Sequence, residues 1–197
     1  MRLAHLVTLS LALLLGACGF QLRGTGSFDF AIKEFRFKAD DSLAPLAKNL
    51  QESLQNQGIV LSDTAEYSLH LGCEEHSQRQ VSFTAGTRTG ENMLTSSVRY
   101  EIRLGNLPAL ISEHAEVQRV MSFNHSHASA SSEENNLLRE EMRRELVNQL
   151  LLRLQALKPE QLEQLRDKAQ ARADAEKAAR DSEQQRLLQQ EKMFQIN

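Results

Sequence analysis

The 197-residue sequence has no tryptophan and only two tyrosines, so a core must be built from Leu, Val, Ile and Phe. It has two cysteines, Cys18 and Cys73, too few for a disulfide framework. Catalytic signatures are missing as well. There is no Gly-x-Ser-x-Gly elbow, no phosphate-binding Gly-rich loop and no Cys-x-x-Cys. Nor is there a surplus of positive charge: 23 Lys and Arg stand against 26 Asp and Glu. Nucleic acid is therefore not an expected partner, because phosphate binding needs a dominant basic patch. No internal repeat at a solenoid period is present, which excludes an array architecture. The apolar run from Leu6 to Leu15, interrupted by Thr8 and Ser10, is about half the ~20 residues that span a bilayer as a helix.

What is there begins with that run. Preceded by Arg2 and followed by Gly16-Ala17-Cys18, it has the form of a signal peptide over residues 1–17. Leu15-Gly16-Ala17-Cys18 resembles the lipobox of bacterial lipoproteins. That resemblance implies that Cys18 becomes the mature N-terminus, with a diacylglycerol on its sulfur and an acyl chain such as palmitate on its amine. Several acyl chains hold a protein at a membrane where one binds only reversibly. No other cofactor is expected. Gly19, where an aspartate would favour retention in the inner membrane, implies the outer membrane, on its periplasmic side. The mature chain then carries 22 basic and 26 acidic residues. Cys73 is left as a lone thiol, expected to be a small buried hydrophobe.

Residues 28–37 alternate apolar and polar through Phe28, Phe30 and Ile32, with a phase slip at Lys33-Glu34, and predict a strand. Asp40-Asp41-Ser42 and Pro45 signal a helix entry, and Leu43, Leu46, Ala47, Leu50 and Leu54 fall on one face up to Gly58. Tyr67, Leu69, Leu71 and Cys73 alternate again, and Val81 and Phe83 suggest that the strand continues or resumes. A turn-rich stretch around Arg88 leads to Leu94, Ser96, Val98, Tyr100, Ile102 and Leu104, which predicts a hairpin with Arg88 at its tip. Ser112 to Phe123 makes a fourth strand with Val117, Met121 and Phe123 inward. Asn124 to Ser132 reads as a loop, and Ser131 with Glu134 as a capping box. Leu138, Met142, Leu146, Leu150, Leu154 and Leu157 then form one helical stripe that ends at Lys158-Pro159.

The expected fold is α/β, an α+β sandwich with two amphipathic helices on one face of a four-stranded sheet. The domain spans residues 18–158. Residues 159–197 form a charged, Ala- and Gln-rich tail, helical or disordered, with almost nothing to bury. As a helix from Pro159 to Phe194 it would be a rod of about 54 Å.

Candidate chemistry is thin. His125-Ser126-His127 has no accompanying Cys or acidic ligand at a metal spacing, so a metal or enzymatic role needs further carboxylates to converge on it. His70, His76 and His114 carry no motif. Glu133, Glu134, Glu140 and Glu141 suit a solvated helix start. Arg99 and Arg103 lie opposite Val98, Tyr100 and Ile102, with Arg79 and Arg88 on or near the same hairpin. These guanidinium groups could grip lipid phosphates bidentately, or pair with Glu91, Glu101 or Glu116 across strands.

Cys18-Gly19-Phe20-Gln21-Leu22-Arg23-Gly24, followed by strand, Leu-rich helix, three strands and Leu-rich helix over residues 1–157, resembles the LPS-assembly lipoprotein family LptE. The resemblance implies a non-enzymatic plug inside the outer-membrane barrel LptD that helps the barrel assemble and supports lipopolysaccharide delivery to the cell surface. It further implies lipopolysaccharide contact through basic side chains near the hairpin between the second and third strands. Here Thr84 follows Phe83 where a basic residue would be expected, leaving Arg88 by position and Arg79 as the candidates. The competing expectation is a periplasm-facing lipoprotein that carries lipid without a barrel, which requires an apolar pocket between sheet and helices.

Overall fold

In the computed structural model, residues 30–83, 89–124 and 128–195 are described. Phe35 is buried in β1 (Glu34–Ala39), and the phase slip at Lys33-Glu34 marks where this strand begins. Phe30 and Ile32 are core residues that lead into it without being strand. Helix α1 (Pro45–Asn56) starts on a proline, whose fixed φ suits the first helical position. Asp41 does not cap the helix. Its Oδ1 accepts the Leu43 N–H at 2.9 Å and closes the turn ahead of it, so Leu43 is 74% exposed and not on the buried face. Leu46, Ala47, Leu50 and Leu54 do form that face. Gly58 ends the segment with φ at 83°, a conformation glycine adopts without steric cost.

The sheet has six strands where four were expected. The two-residue β2 (Val60–Leu61) carries no periodic signal, and the second expected strand is divided into β3 (Tyr67–Leu71) and β4 (Glu75–Phe83). β5 (Thr89–Leu104) and β6 (Ile111–Asn124) complete it. β1 runs parallel to β2 and β3, while β5 is antiparallel to β3, β4 and β6. β3 and β4 share one side of β5: Leu71 faces Tyr100 and Glu75 faces Ser97. Four steps on one strand therefore oppose three on the other, which is a one-residue bulge at residues 72–74. The bulge turns Cys73 outward. It is exposed, contrary to the expectation of a buried thiol.

Helix α2 (Ala128–Ala156) starts ahead of the anticipated capping box, because the Ala- and Ser-rich segment expected as a loop continues the helix. Its stripe of Met142, Leu146, Leu150 and Leu154, widened by Val147 and Leu151, packs with α1 on β5 and β6. Helix α3 (Pro159–Gln195) follows, and the Gln161 side chain accepts the Lys158 N–H at 3.2 Å as its N-terminal cap. The stretch after Pro159 is thus helical, and its start does bury side chains. Leu162 joins the core, Ala169 is fully covered, and Arg172 donates to the Ala109 carbonyl at 2.7 Å. From Asp174 to Glu191 every residue is exposed. Each fully buried Leu of this core contributes about 1.5–3 kcal/mol through removal from water.

Candidate functional site

Alternation along β5 assigns its two faces different tasks. Leu94, Ser96, Val98, Tyr100 and Ile102 point to the helices and are buried. Thr95, Ser97, Arg99, Glu101 and Arg103 point the other way, and the register extends this polar face across the sheet. Lys38, His70, Glu101 and Ser112 form one cross-strand row; Arg36, Ser68 and Arg103 form the next. The result is a hydrophilic surface on the side away from α1 and α2.

Its arginines are largely neutralised. Arg103 pairs with Glu101 at 2.6 Å, and this guanidinium is the main reason the Glu101 carboxyl lies below the usual carboxylate range. Arg99 reaches Glu75 on β4 at 3.3 Å, not Glu91 or Glu116. Arg79, on β4, is different. It is exposed and lies 3.9 Å from the Met93 sulfur, with no carboxylate partner among the described residues. Cys18, Arg88, His125 and His127 lie outside the described residues.

On the helix side, three arginine–carboxylate pairs tie α2 to the sheet. Arg119 of β6 pairs with Glu145. Arg153 meets Glu113 at 3.6 Å and donates to the His114 carbonyl at 2.7 Å, while the Tyr100 hydroxyl donates to Glu113 at 3.0 Å. Burial is the first cause that pushes the Tyr100 hydroxyl pKa up. The third pair, Arg143 with Glu74 at 3.0 Å, is the most enclosed, with side chains 18% and 8% exposed.

Glu74 is delivered there by the bulge. Gly72 keeps one ladder bond, from its N–H to the Arg99 carbonyl at 2.8 Å, and a Cβ at this position would sit 3.2 Å from that oxygen. Beyond it Glu74 turns inward. Ser96 donates to Glu74 Oε1 at 3.2 Å, and His76 Nδ1 lies 2.6 Å from Ser96 Oγ. Because the Ser96 proton is spent on Glu74, Nδ1 of neutral His76 must be the donor to Ser96. Burial is the largest influence on His76 and lowers its pKa; Glu74 opposes this, and Arg139 and Arg143 reinforce it. Serine, histidine and carboxylate in contact resemble the parts of a hydrolase, but Ser96 is 0% exposed and cannot meet a substrate. Neither this cluster nor Arg139, which holds Asn135 at 2.8 Å and has no carboxylate partner among the described residues, was anticipated. The weak clue was polar residues at inward-phase positions.

The space between sheet and helices is filled by Leu46, Leu50, Leu54, Leu69, Leu71, Ile102, Met142, Leu146 and Leu150, each less than 2% exposed. Clefts occur at the periphery instead. One of about 510 Å³ is lined by Phe37, Lys38, Ser42, Gln51, Asp63 and His70 among others, and another of about 500 Å³ lies between Leu110–Glu113 and the start of α3. Among the described residues no His, Cys, Asp and Glu cluster could hold a metal, and no helix is long and apolar enough to cross a membrane.

A sheet covered by helices on one face and left largely polar on the other defines an α/β domain that presents a surface, with the serine of its reactive-looking cluster fully buried. Comparison with known proteins names the group. The family described as LptE, lipopolysaccharide-assembly, matches residues 30–154, more than half of the chain. The chain is 28% identical over 151 residues to the LPS-assembly lipoprotein LptE of Yersinia pestis (strain Pestoides F), covering 74% of this chain and 72% of that protein. Its fold is similar to the crystal structure of rare lipoprotein B from Shewanella oneidensis, with a TM-score of 0.56 at 21% identity over 61% of this chain and 92% of that one. It is also similar to the solution structure of an uncharacterized lipoprotein B from Nitrosomonas europaea, with a TM-score of 0.55 at 19% identity over 68% and 88% of the two chains. The chain belongs to the LptE family of lipopolysaccharide-assembly lipoproteins, proteins of the cell envelope.

Proposed function

We propose that this lipoprotein is held in the outer membrane by lipid on Cys18 and seats its polar sheet face inside the LPS-export barrel LptD, supporting barrel assembly and lipopolysaccharide delivery. The observation that carries the reading is the uncovered face of β1, β3, β5 and β6, where charged and hydroxyl side chains predominate and Met93 beside exposed Val120 forms an apolar pair towards the hairpin end. Such a face suits the water-lined interior of a barrel, whose lumen-facing residues are polar. Arg79, without a carboxylate partner among the described residues, together with Arg88, is the proposed contact for lipopolysaccharide phosphates, which guanidinium groups bind bidentately. The filled sheet–helix interface argues against a lipid carrier with its own acyl pocket.

Solubilised outer membranes supply the test. Photoreactive residues at Ser68, Arg103 and Ser112 are expected to crosslink to the barrel, and depletion of the lipoprotein is expected to lower surface lipopolysaccharide. Recovery of the lipoprotein alone, with normal surface lipopolysaccharide after depletion, would overturn the proposal.

A further inference from the structure

Beyond the bulge, β4 stands apart from the rest of the sheet. Its residues from Glu75 to Val81 are all exposed, including His76, Gln78 and Gln80, which pair with the helix-facing residues Ser96, Leu94 and Asn92 of β5. α2 thus covers β5 and β6 and leaves the β4 edge open. Among the described residues, side-chain bonds on the helix side join this edge to the body at one place. His76 donates to Ser96, Ser96 donates to Glu74, and Arg143 of α2 donates to Glu74.

We propose that the Glu74–His76–Ser96–Arg143 cluster is an acid-sensitive latch that fastens the β4 edge of the hairpin to α2. The charged groups facing His76 are Glu74 beside it and Arg139 and Arg143 on α2. When closed, neutral His76 donates one hydrogen bond and adds no charge. A second proton would place a third cation beside two arginines in a partly dry site, with Glu74 already engaged by Arg143 and its other oxygen 3.7 Å from His76 Nε2.

Linkage sets the direction. The closed state holds His76 at a lowered pKa, whereas an opened edge returns it to water and to the ordinary value near 6.5, so the opened state binds the proton more tightly. The stability of the closed latch is complete above that ordinary value and declines as the pH falls below it. Opening would break the ladder between β4 and β5 and release Arg79 from Met93 together.

The test is hydrogen exchange of the full-length lipoprotein in detergent at about pH 7.5 and about pH 5.5, corrected for intrinsic rates, with β3 amides as the internal reference. Protection of residues 75–81 relative to β3 is expected to fall in acid by up to about tenfold, the limit set by measuring about one pH unit below the opened-state value. His76→Gln should abolish this pH dependence. Arg139→Gln, which leaves the Glu74–Arg143 pair intact, should shrink it, because His76 in the closed state then titrates closer to its ordinary value. Glu74→Gln should leave β4 weakly protected at both pH values. Equal behaviour of β3 and β4 in acid, or an undiminished acid loss in His76→Gln, would overturn the latch.

Discussion

α2 and α3 are successive helices of similar residue types, rich in Leu, Glu, Gln and Arg, and they meet opposite fates. α2 buries a stripe from Met142 to Leu154 against the sheet, and its Arg143 is drawn into an enclosed ion pair. α3 buries Leu162 and Ala169, then runs exposed from Asp174 to Glu191, with Leu187 at 59% exposure. The difference is one of spacing. Leucines that recur every four residues give α2 a continuous face, whereas alanine and charge after Arg166 give α3 helical propensity without a surface to dock. Propensity makes a helix, and periodicity makes it part of the core.

The strongest attempt to break this contrast is Leu150→Asp. Burying an unpaired carboxylate at the centre of the α2 stripe costs as much as or more than the ~5–15 kcal/mol stability of a typical domain, so the chain should lose its folded circular-dichroism spectrum. A variant that melts like wild type would show that this face is not buried. Arg143→Gln should cost about 3 kcal/mol in urea denaturation, because Glu74 is left enclosed without its cation. Leu162→Ala tests the large core side chain that α3 contributes among the described residues. A loss of about 2 kcal/mol is expected, at the lower end for a buried leucine because the site is at the edge of the core. The smallest effect belongs to removal of residues 174–197, which should move the urea midpoint by less than about 0.5 kcal/mol, since the segment up to Glu191 covers nothing. A larger loss would show that the exposed rod contributes to the fold.

The same contrast explains what could be read in advance. The α2 stripe and the β5 alternation were legible because each repeats one period over many residues. The strand break was not. Leu69, Leu71 and Cys73 keep an apolar-polar rhythm through the bulge, so counting by twos placed Cys73 inside when the backbone turns it out. The polar cluster was hidden for another reason. Glu74 and Arg143 are 69 positions apart, and nothing in either local stretch announces the partner. Leu43 was misplaced because a correct periodicity was carried back past the proline where the helix begins, two residues beyond its start. At the hairpin, Arg79 could be picked out as a cation, but its lack of a carboxylate partner among the described residues is visible only once β4 has been laid against Met93.

The one-residue bulge has a consequence for how this chain can change length. On the core side of residues 72–74, Leu69 and Leu71 are fixed opposite Ile102 and Tyr100; on the far side, β4 and the first half of β5 pair only with each other and with β6. Residues added to or taken from the β4–β5 tip in matched numbers therefore alter the reach of the hairpin while every inward side chain of the core keeps its neighbour. The break works as an expansion joint: one end of the sheet can be lengthened, shortened or rebuilt without renegotiating the packing at the other.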